Sequence, residues 1–165
     1  MGRSVNSGTL TIVVALFGVA FASHSLMAEG LKLAPVRDKT VAKECAACHM
    51  LYPPALLPAR SWATMLDNLQ DHFGENAALD EATTKAIADY LVANAADAGG
   101  QGWRTFRDLD PQTTPTRITD LPWWKRKHEK RDRVSPATLA KNGAKFRGDC
   151  KACHRGAEQG LFDDD

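Results

Sequence analysis

The pentapeptides CAACH (Cys45–His49) and CKACH (Cys150–His154) share the form C-x-x-C-H, and together they use all four cysteines of the chain. Two thiols at this spacing can add to the two vinyl groups along one edge of a haem. The histidine that follows then lies beneath the porphyrin and offers a ring nitrogen to the iron. Other uses of paired cysteines fit less well. A zinc ribbon places its second pair about 15–20 residues after the first, whereas Cys48 and Cys150 are about a hundred residues apart. A thioredoxin-like redox site needs a βαβ setting, which the sequence pattern does not supply. Two structural disulfides would leave both following histidines unexplained. The motifs therefore predict two covalently bound haem c groups, attached through Cys45, Cys48, Cys150 and Cys153, with His49 and His154 as proximal iron ligands.

Five histidines are present in all. His24 lies in or beside an N-terminal leader, so His72 and His128 remain for the two distal positions. His72 ends the stretch SWATMLDNLQDHFG (61–74), in which Trp62, Met65, Leu66, Leu69 and Phe73 recur at helical spacing. This pattern predicts an amphipathic helix ending near Gly74, with His72 on or beside its apolar stripe; a plain core histidine is the alternative. His128 lies in LPWWKRKHEKRDR (121–133). If Pro122 opens a helix, Leu121, Trp124 and His128 share a face, and Lys125, Arg126, Lys127 and Lys130 turn to water. The alternative there is an exposed histidine in a basic patch. Met50 directly follows His49 and is badly placed for the opposite haem face, while Met65 reads as core. Four histidines thus match four axial positions, and the missing methionine ligand points to low potentials. Pairing His49 with His72 and His128 with His154 is the economical arrangement; exchange of distal ligands between the haems is the other.

The chain has 165 residues, of which 44% are hydrophobic and 25% charged, in keeping with one or two small globular domains. Residues 1–28 read as a secretory signal peptide: Arg3, the apolar run TLTIVVALFGVAFA (9–22), then small residues. Cleavage after Ala22 or Ala28 is compatible with this order. An uncleaved anchor is the rival reading, but the run is short for a span of roughly 20 residues. An exported, periplasmic protein is expected. Losing Arg3 with the leader leaves 20 basic and 20 acidic residues, a neutral balance that argues against a general nucleic-acid binder. The charge is uneven, since six of the basic residues fall within Lys125–Arg133 and the chain ends FDDD.

The expected fold is all-α, with two small covalent-haem domains at 29–98 and 116–165 joined by a linker at 99–115. Thr40–Cys48 reads as a short helix entering the first motif, and YPPALLP (52–58) as an apolar loop. A helix is expected over Asp80–Ala96, capped by Asp80, with Ile87, Tyr90 and Leu91 inward. Ser135-Pro136 opens another, and Leu139, Phe146, Cys150 and Cys153 are spaced to continue its apolar face. No strand pattern is evident. Each unit is small enough to need a covalent staple, which haem provides.

Three segments, ECAACHMLYPPALLPARSWATMLDNLQDHFGENAALD (44–80), RITDLPWWKRKHE (117–129) and GDCKACHRGAEQGLFDDD (148–165), resemble the bacterial periplasmic dihaem cytochrome c family. The resemblance covers most of the chain beyond the leader, and the HFGENA and WWKRKH segments are specific to it. It implies an N-terminal domain like a class I cytochrome c, and two histidine ligands on each haem, carried here by His49, His72, His128 and His154. It also implies a redox partner, either a high-spin monohaem cytochrome c or a membrane cytochrome b. The expected function is electron transfer rather than enzymatic catalysis. A dihaem peroxidase-like enzyme or a gas-binding haem sensor, with one displaceable distal ligand, is the alternative.

Overall fold

A computed structural model describes residues 1–2, 30–130 and 133–162. The leader at 1–28 and the acidic end at 163–165 lie almost wholly outside the described residues, as do Arg131 and Asp132 of the basic run.

Among the described residues six short α-helices form: α1 (Lys39–Cys45), α2 (Ala59–Leu66), α3 (Glu81–Ala93), α4 (Trp103–Phe106), α5 (Pro122–His128) and α6 (Pro136–Lys141). Their starts follow local chemistry. The Asp38 carboxylate accepts from the Thr40 and Val41 N–H groups at 2.8 and 2.9 Å, and Asp80 caps α3 through the Thr83 N–H. Proline fills the first helical position of α5 and α6, where no N–H is needed, and Ser135 caps α6 through the Thr138 N–H. A 3-10 turn at Pro54–Leu56 lies within the apolar loop, held by a bond from Trp62 Nε1 to the Pro54 carbonyl at 2.7 Å.

Helices α2 and α3 pack together, and one buried cluster unites Val41, Leu57, Trp62, Leu66, Ile87, Leu91 and Ala95 with Leu121 and Trp124. Ile87 and Leu121 are fully buried; each such side chain contributes about 1.5–3 kcal/mol. The first motif's helix and the helix carrying His128 are therefore fixed to the same core.

Several elements differ from the sequence reading. The helix expected through His72 stops at Leu66; a 3-10 turn follows at Leu69–Asp71, and His72 lies beyond it. The Asp71 side chain accepts from the Gly74 N–H, an interaction that favours a turn over a continuing helix. The first-motif helix ends at Cys45, not Cys48. Likewise α6 does not run on toward the cysteines. Gly143, at φ +65°, closes it with bonds from Gly143 N to Ala140 O and from Ala144 N to Leu139 O, and Phe146 beyond is exposed. The segment 99–115 holds a 3-10 turn at Gly100–Gly102 and helix α4, with Thr105 buried and its hydroxyl bonded to the Gly102 and Ala55 carbonyls. Two very short strands also form. β1 (Leu31–Lys32) pairs antiparallel with β2 (Leu161–Phe162), Leu31 opposite Phe162, and a further bond runs from Leu33 N to Gly160 O at 2.8 Å.

Candidate functional site

The first motif sits where α1 ends. Cys45 is the last helical residue and is half-buried, the next residues turn, and Cys48 is exposed. His49 Nδ1 lies 2.6 Å from the Met50 carbonyl. A carbonyl only accepts, so Nδ1 carries the proton and Nε2 keeps its lone pair for a metal. Facing it is His72, whose ring centroid is 6.1 Å away with 30° between the planes. Burial, the His49 ring and Arg117 together hold His72 below the usual histidine range, favouring the neutral form that binds metals.

The second motif repeats this arrangement from different elements. Cys150 opens a 3-10 turn, and the His154 N–H bonds to the Cys150 carbonyl at 2.8 Å. His128, the last residue of α5, donates Nδ1–H to the Trp124 carbonyl at 2.9 Å and stacks on the Trp124 ring at 4.4 Å and 13°. The face shared by Leu121, Trp124 and His128 is thus present, while Lys125, Arg126 and Lys127 are exposed. Arg147 lies 5.0 Å from the Trp124 ring centroid and pairs with Glu129 at 2.9 Å. The His128 and His154 rings are 6.1 Å apart at 85°.

Both separations suit an iron between the rings. Metal–imidazole bonds are about 2 Å long and a ring nitrogen lies roughly 1 Å from its own centroid, so two imidazoles on opposite sides of one metal sit about 6 Å apart. Among the described residues no group of three or more His, Cys, Asp or Glu converges on one point. Each pair could hold the iron of a bound haem, whose ring would supply the remaining ligands. A cavity of about 410 Å³ opens beside Cys48 and His49, and one of about 820 Å³ beside Cys153 and His154. Burial raises the Cys45 thiol above its ordinary range and pushes Cys150 up to about 12.

The family described as dihaem cytochrome c matches residues 41–162. The chain belongs to that family. Solved structures are similar to it. A dihaem cytochrome c from Rhodobacter sphaeroides is 53% identical, with a TM-score of 0.69, over 78% of this chain and 99% of that one. A dihaem cytochrome c from Shewanella baltica is 34% identical, with a TM-score of 0.59, over 76% of this chain and 86% of that one. No curated protein matches. As a dihaem cytochrome c, the chain carries two covalently bound haem c groups, and its helix-rich fold agrees with these relatives.

The structure brings the four motif-anchored and distal histidines into two pairs that are local in sequence, His49 with His72 and His128 with His154. It also adds residues that the sequence reading passed over. Tyr52 lies 5.0 Å from the His49 ring and donates its hydroxyl to the Gly148 carbonyl at 2.9 Å, joining the first motif to the approach to the second. Its buried phenol is raised above the ordinary range and stays protonated. Lys151 and Glu158 line the same cavity as Cys48 and His49, so the two sites share a wall. Tyr52 follows the first motif by three residues, but nothing in the sequence indicates a partner so far along the chain.

Proposed function

We propose that this dihaem cytochrome c is a periplasmic electron carrier whose two haems are each held by two histidines, His49 with His72 and His128 with His154. The pair of 6.1 Å imidazole separations carries this reading. Bound haem supplies a one-electron iron couple, and the chain's residues attach it, fill its axial positions and set its surroundings. Cys45, Cys48, Cys150 and Cys153 are the thioether residues. The Met50 and Trp124 carbonyls fix the tautomers of His49 and His128, directing Nε2 of each to the metal side. With both axial positions filled by strong ligands, neither site has room for oxygen or peroxide, which favours electron transfer over catalysis.

Export follows from the leader at 1–28, and among the described residues no helix is long and apolar enough to cross a membrane. The exposed cations of α5 offer a surface for an acidic redox partner, a high-spin monohaem cytochrome c or a membrane cytochrome b. Charge complementarity there would mainly speed encounter. Arg126 is ion-paired to Asp108 at 2.5 Å, and Lys125 and Lys127 are exposed on either side of it in the chain.

The test is the visible spectrum of dithionite-reduced, haem-loaded protein before and after carbon monoxide. Unchanged low-spin bands are expected. A shift in either haem would show a position that opens, and the peroxidase-like or gas-sensing reading would replace this one.

A further inference from the structure

The two distal histidines are held in unlike ways. His128 ends a helix, bonds its Nδ1–H to the carbonyl four residues back and stacks on a buried tryptophan. His72 belongs to no helix. Its N–H and carbonyl pair with those of Glu75 at 2.8 and 3.3 Å across a tight turn whose central residues, Phe73 and Gly74, have φ of +61° and +101°. Glycine is at ease there, but a phenylalanine is not, because its Cβ crowds the backbone in the left-handed region. Phe73 is the one non-glycine residue with positive φ among those described.

Phe73 is not kept in this conformation by burial, since its side chain is 43% exposed. What covers it is Arg117, whose guanidinium carbon lies 3.9 Å from the ring centroid, a close cation–π contact. Arg117 directly precedes the 3-10 turn Ile118–Asp120, which leads into fully buried Leu121, so the cation is presented by backbone tied to the core. Phe73 is also 4.8 Å from the His72 ring. A continuous line of contacts therefore runs from Arg117 through Phe73 to His72, and across to His49.

We propose that Arg117 and Phe73 form a latch that positions His72 opposite His49, and that His72, rather than His128, is the ligand released when the latch is opened. This rests on the reading of His72 as an axial ligand. Arg117 and Phe73 are positioning residues, acting through His72. The consequence is an asymmetric molecule, with one haem site closed by a helix and the other by a surface contact that joins its two halves.

The experiment compares haem-loaded wild type with Arg117→Ala, Arg117→Lys, Phe73→Ala and His72→Ala, reading carbon monoxide binding to the reduced protein and low-spin electron paramagnetic resonance of the oxidised protein. The two imidazole pairs differ in interplanar angle, 30° and 85°, which separates their low-spin signals and identifies the haem affected. Wild type is expected to stay closed to carbon monoxide, whereas in Arg117→Ala and Phe73→Ala the His72-off population at the His49 haem should rise about three- to tenfold, the size of one partly exposed cation–π contact, and be trapped by carbon monoxide. Arg117→Lys should recover part of the effect, and the His128–His154 signal should not move. Both alanine variants staying as closed to carbon monoxide as the wild type, or equal changes at both haems, would overturn the latch. If His72→Ala opens the His49 haem while Arg117→Ala does not, the latch alone is wrong. If His72→Ala leaves both haems low-spin and closed to carbon monoxide, the ligand assignment has failed.

Discussion

Gly160 provides a sharp test of how the chain is closed. Its φ is +76°, and a Cβ built there would lie 1.9 Å from the Leu33 carbonyl oxygen and 2.9 Å from its carbon. Gly143 is the natural control, since it has φ +65° but no atom within 4 Å of a built Cβ. Alanine at either position suffers the left-handed penalty of about 1–2 kcal/mol. Only Gly160→Ala must also push backbone away from backbone. That breaks the 2.8 Å bond from Leu33 N to Gly160 O, worth about 0.5–1.5 kcal/mol. It also loosens Leu31 and Leu33, 5% and 6% exposed in their cluster with Leu56, at about 1–2 kcal/mol more for partial loss of burial. The excess over Gly143→Ala is about 1.5–3.5 kcal/mol. At about 2–4 °C per kcal/mol for a chain of this length, Gly160→Ala should melt roughly 5–10 °C below Gly143→Ala. Thermal unfolding of the haem-loaded variants, followed by far-ultraviolet circular dichroism, measures the gap. Two variants melting together would refute the argument, because the strand pairing would then contribute nothing that the clash can remove.

Three further outcomes follow from the contacts described. Tyr52→Phe keeps the ring beside His49 but removes the bond to Gly148, so denaturant unfolding should show a loss of about 0.5–1.5 kcal/mol with both low-spin spectra unchanged. Trp124→Ala removes a side chain only 3% exposed and the ring stacked on His128; it should cost about 3–5 kcal/mol and disturb the His128–His154 haem first, in stability and spectrum, with Trp124→Phe milder. The Asp80 carboxyl is held below the usual carboxylate range by the Thr83 backbone N–H and hydroxyl. A depressed pKa contributes stability that is present above the unfolded value and lost as pH falls through the folded one. The melting temperatures of wild type and Asp80→Ala should therefore differ at neutral pH and converge under acid.

Much of this was legible in the sequence because it depends on neighbours in the chain. The haem motifs, Asp80 ahead of α3, Pro122 ahead of α5 and Ser135-Pro136 ahead of α6 all act within a turn of themselves. The facing of His128 was also legible, since Leu121, Trp124 and His128 sit at helical spacing. The turn at His72 was not. Apolar periodicity continues past Leu66 into Leu69 and Phe73 even though the backbone has left the helix, so spacing alone could not show the break. Phe146 misled in the same way, its spacing preserved across Gly143. Strands of two residues are too short to show alternation. The order within 99–115 depends on tertiary contacts: a Cβ at Gly102 would lie 2.7 Å from Ala96, and Thr105 bonds to Ala55. Tyr52 with Gly148, and Arg117 with Phe73, join residues far apart in the chain and carry no local signature.

The pairing of Leu31–Lys32 with Leu161–Phe162 has a consequence for how the molecule is made. Synthesis runs from the amino end, so β1 emerges about 130 residues before its partner. Leu31 and Leu33 cluster with Leu56, but their cover is incomplete until Gly160 to Phe162 are available, and closing so long a loop is the slow kind of contact to form. Closure is thus a late step, and a chain stopped anywhere short of residue 160 lacks it, however well its first haem site is built. Leu31 and Phe162 face each other in this pairing, so residues far apart in the chain are held side by side.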